Sequence, residues 1–80
     1  MGLKLKKRKI DWYIVNQVRD IRLKLDLSQE DLAAHLDISK SYITQIESPT
    51  NIAKYNTQHL NELAKLFKCS PKDFMPEKPL

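Results

Sequence analysis

The chain has 80 residues, of which 41% are hydrophobic, and it carries fourteen lysines and arginines against ten aspartates and glutamates. A chain of this length holds one small core, and helices with local contacts are the economical way to build it. Its single cysteine, Cys69, excludes an internal disulfide and favours a reducing, cytoplasmic compartment. No apolar run approaches a membrane span, and the sequence lacks a glycine-rich phosphate loop, a metal-ligand cluster and a nucleophile with its base. We therefore expect neither a membrane protein nor an enzyme, and no cofactor.

A basic arm is predicted at residues 1–10, followed by one domain at 11–76 and a loose tail at 77–80. Five cations stand in the first nine positions: Lys4, Lys6, Lys7, Arg8 and Lys9. Such an arm could track phosphates or enter a minor groove. Charge runs are just as commonly solvated tails, and the weak alternation with Leu3 and Leu5 also allows an extended segment that pairs with a partner chain.

The first helix is predicted from about Trp12 to Leu25, with Asp11 as its N-cap. Its core stripe recurs at helical spacing, at Ile14, Val18, Ile21 and Leu25. Leu23 lies off this stripe, and Trp12 and Tyr13 stand at the helix start, where they could be exposed or cover one end of the core. Together with Leu66 these three residues could form a surface for a protein partner.

Two short helices joined by a tight turn are predicted between residues 28 and 47. Ser28 can cap the first, with Asp31 near the capping-box position, and Ser39 can cap the second. Ile43 and Ile46 point inward on the second helix. Its outward face is then rich in hydrogen-bonding groups: Lys40, Ser41, Thr44, Gln45 and Ser48. This arrangement is typical of a protein that reads DNA.

The remaining elements follow a loop over Ser48 to Asn56, where Pro49 disfavours helix. Thr57 is predicted to cap a helix from Gln58 to Phe67. Ser70 and Pro71 start a short fifth helix that ends before Pro76. The prediction is a compact, all-α domain of five helices.

The stretch from about Val18 to Phe74 resembles the lambda-repressor and Cro-like (XRE-type) helix-turn-helix family. The resemblance is carried by Val18-Arg19-Asp20-Ile21-Arg22, by Leu27 to Ala33, by Ile38 to Glu47, and by Leu60 to Phe67 with Cys69 to Phe74. It implies sequence-specific binding of double-stranded DNA by a homodimer on a near-palindromic site. It also implies transcriptional regulation, with repression favoured, at the nucleoid of a bacterial or phage-type cytoplasm. The chain departs from the family where Asp26 and Asp37 replace the usual turn glycines, and where the loop after Glu47 is longer.

Base contacts are implied for the outward face of the second motif helix, at Lys40, Ser41, Thr44 and Gln45. Lys40 can donate to guanine O6 or N7, or to a phosphate. Gln45 can make a two-point contact with adenine, and Thr44 can offer its methyl to thymine or its hydroxyl to a base. Each of these would singly be an ordinary polar surface residue.

Phosphate contacts are implied for Gln29, Tyr42, Asn51 and Lys54. Gln29 would also brace the recognition helix, and Lys54 is a better candidate than Asn51. Tyr42 could instead pack its ring beside the fourth helix. The resemblance also implies a partly buried ion pair between Arg22 and Glu47, the alternative being two unpaired surface charges.

A second class of function stays open, namely a protein-interaction module or antitoxin-like partner with the same fold. An exposed apolar patch without positive potential near Lys40 would favour it. For the homodimer, the expected contact surface is the fifth helix with Phe74 and Met75, or the Trp12 end of the first helix. Cys69 is expected in the core, and His35 and His59 on the surface.

Overall fold

Four α-helices and one turn of 3₁₀ helix form the fold in the computed structural model, which describes residues 4–80. The helices are α1 (Lys9–Lys24), α2 (Gln29–Leu36), α3 (Lys40–Ile46) and α4 (Thr57–Phe67), and the 3₁₀ turn is Pro71–Phe74. No strand occurs in these residues, which confirms the all-α prediction. The expected fifth α-helix is only the 3₁₀ turn, because Met75 precedes Pro76 and is extended. None of the described helices combines the length and the apolarity that crossing a bilayer requires.

The first helix begins at Lys9 rather than at Trp12. Arg8 precedes it and makes no side-chain capping bond, so the assignment of Asp11 as N-cap is wrong. Asp11 lies instead in the first turn, where the helix dipole favours a carboxylate. Its Oδ2 atom is 3.5 Å from Nζ of Lys54. The start of α1 is therefore tied to the segment that precedes α4.

The fourth helix is capped by Asn56 rather than by Thr57. Asn56 Oδ1 accepts a hydrogen bond from the backbone N–H of His59 (2.7 Å), and His59 Nδ1 accepts one from the backbone N–H of Asn56 (3.2 Å). Asparagine is a stronger cap than threonine, and the reciprocal bonds satisfy two backbone donors at once. His59 is half-buried rather than a plain surface residue, and this burial lowers the pKa of its imidazole.

Left-handed residues that are not glycine follow three of the helices. Asp26 (φ 57°), Asp37 (φ 56°) and Lys68 (φ 57°) close α1, α2 and α4. Glycine adopts this conformation without steric penalty, whereas a side chain with a Cβ is disfavoured there, aspartate and asparagine less than most. Asp26 and Asp37 therefore adopt the left-handed conformation that a glycine would adopt at these turns, and aspartate tolerates that conformation.

The core draws on every helix and on the 3₁₀ turn. Its buried apolar residues are Ile14, Val15, Val18, Leu32, Ala33, Ile43, Ile46, Tyr55, Leu63, Ala64, Phe67 and Phe74. Leu25, predicted for the core stripe, is 48% exposed because α1 ends one residue before it. Phe74 is fully buried and packs edge-on against Phe67, so its assignment to a dimer surface is wrong. Cys69 is half-buried and packs against the core.

Candidate nucleic-acid interface

The helix-turn-helix is built by side chains that bond within one turn of their own helix. Ser28 Oγ accepts from the backbone N–H of Asp31 (3.0 Å), and Asp31 Oδ2 accepts from that of Ser28 (2.8 Å). Hydrogen bonding of the Asp31 carboxyl to the backbone N–H and to the side chain of Ser28 lowers its pKa. Ser39 Oγ accepts from the backbone N–H of Tyr42 (3.0 Å) and so begins α3. Between the helices, the left-handed Asp37 lets the N–H of Ile38 return to the carbonyl of Ala33 (3.0 Å).

The recognition helix α3 has one fully buried face and one exposed polar face. Ile43 and Ile46 are buried in the core. All four residues implied as base contacts are exposed, namely Lys40, Ser41, Thr44 and Gln45. The fold therefore presents these polar groups together on the outside of a short helix.

A buried ion pair holds the carboxyl end of α3 to α1. Arg22 Nε donates to Glu47 Oε2 and Arg22 Nη2 to Glu47 Oε1, both at 3.0 Å. The two side chains are only 9% and 7% exposed. Arg22 Nη1 also donates to the carbonyl of Leu27 (2.9 Å), so one guanidinium joins α1, the loop before α2 and the end of α3. Two parallel charge-assisted bonds give this contact a defined geometry.

Gln29 links the ion pair to the exposed face of α3. Its Nε2 donates to Glu47 Oε1 (3.1 Å), and its Oε1 accepts from the hydroxyl of Thr44 (2.9 Å). The amide of Gln29 is thus engaged between α2 and α3, as the expected bracing role requires. The Thr44 hydroxyl donates its hydrogen within the fold, so its methyl group and the acceptor capacity of its oxygen are what remain for a base.

Two exposed lysines, one at the start of α3 and one in the segment before α4, each lie beside a carboxylate. Nζ of Lys40 is 3.5 Å from Oε1 of Glu30, with side chains 59% and 72% exposed. Nζ of Lys54 lies at the same distance from Asp11. An exposed pair such as Lys40 with Glu30 contributes roughly 0 to 1 kcal/mol, so Lys40 can exchange its carboxylate for a phosphate at little cost. The Asp11 side chain is only 17% exposed, whereas that of Lys54 is 56% exposed and accessible to a phosphate.

Tyr42 and Asn51 are partly engaged within the fold. The ring of Tyr42 is half-buried and meets His59 of α4 edge-on at 6.3 Å, and His59 meets Tyr55 at 6.0 Å. The packing alternative thus describes the ring of Tyr42. Asn51 Oδ1 accepts from the backbone N–H of Ala53 (2.8 Å), which shapes the loop. Tyr55, which also meets the ring of His59, lies in the core, where burial and the charge of Glu47 raise the pKa of the Tyr55 hydroxyl.

Lys7 is the residue whose position sequence reasoning missed. Its side chain is buried and donates to the backbone carbonyls of Gln45, Ser48 and Asn51. The described part of the arm therefore lies on the loop after α3, while residues 1–3 fall outside the described residues. No local signal separates Lys7 from its basic neighbours, because its acceptors are about forty residues away along the chain.

The four residues considered as a partner surface do not form one exposed patch. Leu23 is exposed, whereas Trp12, Tyr13 and Leu66 are half-buried. Trp12 and Leu66 pack against the core. These residues therefore give the protein-interaction alternative no support.

Comparison with known proteins places this geometry in a family. A family model described as helix-turn-helix matches residues 18–74, which is more than half of the chain. Comparison with curated proteins gives no significant match. Among solved structures, the restriction-modification controller protein C.AhdI from Aeromonas hydrophila is 22% identical (TM-score 0.66), with 80% of this chain and 94% of that chain covered.

Two further solved structures have the same arrangement. Wild-type restriction-modification controller protein C.Esp1396I is 24% identical (TM-score 0.68), with 84% of this chain and 83% of that chain covered. The hypothetical transcription factor NHTF from Neisseria is 14% identical (TM-score 0.70), with 95% and 86% covered. At these identities the likeness shows the fold alone.

Proposed function

Because the chain belongs to the lambda-repressor-like (XRE-type) helix-turn-helix family of DNA-binding transcriptional regulators, we propose that it binds a specific duplex sequence by placing α3 in the major groove. The observation that carries this proposal is the exposed polar face of α3 on a helix whose opposite face is fixed in the core. A helix held in this way presents its side chains in one orientation, which base recognition requires.

Base recognition falls to four residues in this proposal. Lys40 donates to guanine O6 or N7, and Gln45 makes the two-point contact with adenine N6 and N7. Thr44 contacts a thymine methyl or accepts a hydrogen bond from a base, because Gln29 holds only the hydrogen of its hydroxyl. Ser41, near the start of α3, donates or accepts according to the base it meets.

Phosphate contacts position α3 in the groove. Lys54 is the principal one, since its ammonium is exposed and paired only with Asp11. Tyr42 reaches a phosphate through its hydroxyl while its ring stays against His59. Asn51 uses the amide nitrogen that the loop leaves free. Gln29 acts chiefly by bracing α3, and a phosphate contact would draw on the remaining amide hydrogen.

The active form is a homodimer on a near-palindromic site, acting most simply as a repressor. One recognition helix spans too few base pairs to be selective, whereas two helices about 34 Å apart enter successive major grooves. Met75 is exposed beside an open, mainly apolar groove of about 450 Å³. Leu60 and Pro71 also line this groove, on the side of the molecule where the dimer contact was expected. We assign the second protomer to this surface.

Selection of bound sequences from random duplex DNA tests the proposal. The wild-type chain should enrich one motif with two-fold symmetry and half-site centres roughly 10 base pairs apart. Gln45→Ala should relax one position in each half-site. Analytical ultracentrifugation on the selected duplex should then find two protomers per site. Enrichment of no motif would overturn specific binding, and one protomer on an asymmetric motif would overturn the dimer.

A further inference from the structure

The carboxyl end of α3 differs from that of the other helices. A left-handed residue lies within two residues of the end of each of α1, α2 and α4, whereas none follows α3, where Glu47 is right-handed. The last carbonyls of a helix have no partner within the helix and need donors from elsewhere. The only glycine of the chain is Gly2, so no glycine is available to close this end.

The backbone N–H groups of Glu47 and Ser48 donate to the carbonyls of Ile43 and Gln45, and Lys7 adds a side-chain donor at this end. Its ammonium donates to the carbonyl of Gln45 in the last turn of α3 (3.4 Å) and to the carbonyls of Ser48 and Asn51 in the following loop. Three acceptors match the three N–H groups of an ammonium. A positive charge at the carboxyl end of a helix is also favoured by the helix dipole. The residue is only 6% exposed, and Nζ lies 5.9 Å from the centroid of the Trp12 ring.

The main chain of the arm makes a second contact with the same loop. The backbone N–H of Lys6 donates to the carbonyl of Pro49 (2.9 Å). Residues 48–51 are therefore held by one side chain and one main-chain bond of the arm. The loop leads directly to Lys54, whose ammonium is paired with Asp11 at the start of α1.

We propose that Lys7 is a positioning residue, which clamps residues 48–51 to the arm and thereby sets where Lys54 meets the DNA backbone. Lys7 itself contacts no phosphate, because the loop carbonyls occupy its ammonium. The effect on DNA rests on the proposed function, whereas the clamp does not. A DNA contact by the described arm then comes from its exposed cations Lys4, Lys6 and Arg8, with Lys9 exposed at the start of α1.

Amide hydrogen exchange of the free protein tests the clamp. Lys7→Met keeps an unbranched side chain only one atom shorter and removes its charge. Lys6→Met is the matched control because it removes an exposed charge but keeps the backbone N–H of residue 6. Lys7→Met should speed exchange at the Lys6 amide by about tenfold or more, since charge-assisted bonds are lost. Lys6→Met should leave this rate unchanged. Equal rates in wild type and Lys7→Met, or equal acceleration by both variants, would overturn the clamp.

A double-mutant cycle on DNA binding tests the positioning. In the wild-type background Lys54→Ala should reduce the magnitude of the negative slope of log K against log[salt] by about 0.9, because one phosphate contact is lost. In the Lys7→Met background it should reduce this magnitude by clearly less, because Lys54 is no longer held in place. Lys40 lies at the amino end of α3, away from the contacts of Lys7. Lys40→Ala should therefore change the salt slope by the same amount in both backgrounds. An undiminished effect of Lys54→Ala in Lys7→Met would overturn the positioning role.

The two tests separate the possible failures. If the chain bound no DNA at all, the proposed function would fail while the exchange measurement still decided the clamp. If Lys7→Met did not fold, the wild-type protein would decide instead. Its Lys6 amide should exchange at least about tenfold more slowly than that of Lys4, and equal rates would overturn the clamp.

Discussion

Replacing Arg22 with methionine should leave the carboxylate of Glu47 buried with only the amide of Gln29 as a donor. Both charged side chains are more than 90% buried, and Arg22 also donates to the carbonyl of Leu27. Removing one partner of such a pair costs about 3 to 5 kcal/mol. An 80-residue domain has a free energy of unfolding of about 4 to 12 kcal/mol. The single change should therefore remove a large part of the stability.

Urea denaturation followed by circular dichroism measures this cost, in a cycle with Glu47→Gln and the double variant. We expect the double variant to lose less than the sum of the two single losses, with a coupling of about 1 to 3 kcal/mol. Arg22→Lys keeps a charge and serves if Arg22→Met does not fold. Single losses below about 1 kcal/mol that simply add would refute the reasoning, because they are what an exposed pair gives.

Three further predictions concern DNA binding and pH. If about four to six phosphates are neutralised per protomer, log K should fall against log[salt] with a slope of roughly −4 to −5, and a flat response in fluorescence anisotropy titrations would contradict phosphate contacts. Gln45→Ala should cost about 1 to 3 kcal/mol on the selected duplex and little on random DNA, whereas Lys54→Ala should weaken both alike; equal losses for Gln45→Ala would show that Gln45 reads no base. The neutral imidazole of His59 accepts a hydrogen bond from the backbone N–H of Asn56, and burial lowers the pKa of His59 below the ordinary 6.5. The unfolded chain then binds a proton at His59 more tightly than the folded chain does. The contribution of neutral His59 to the free energy of unfolding is therefore complete above about pH 6.5 and shrinks as the pH falls below it. His59→Gln should remove that part of the pH dependence in urea titrations from pH 5 to 7.5, and an unchanged pH profile would refute the role of this cap.

The helix-turn-helix was predictable because its signals are local. Ser28, Asp31 and Ser39 bond to backbone groups within three residues, so the helix starts follow from short-range chemistry. The spacing of Ile43 and Ile46 likewise decides which face of α3 is exposed. The outward position of Lys40 and Gln45 then follows from helical geometry alone.

Helix boundaries were less predictable where several residues could serve. Asn56 and Thr57 are adjacent candidates for one cap, and the reciprocal bond with His59 selects Asn56. Aspartate is a common N-cap residue, yet α1 begins before Asp11, with the backbone N–H of Trp12 donating to the carbonyl of Arg8 (3.0 Å). In both cases, contacts beyond the candidate residue itself choose among locally similar alternatives.

Burial and long-range bonding were decided only by the tertiary structure. Phe74 and Leu25 are equally apolar, yet one is fully buried and the other half exposed, because the 3₁₀ turn packs on α1 and α4 while α1 stops before Leu25. Lys7 is chemically identical to Lys6, yet only its ammonium meets the carbonyls of the loop after α3. Helical periodicity and capping depend on residues within a turn or two of the chain, so they can be predicted from the sequence. Which lysine is buried depends on acceptors that folding brings together from distant positions, and no local pattern records them.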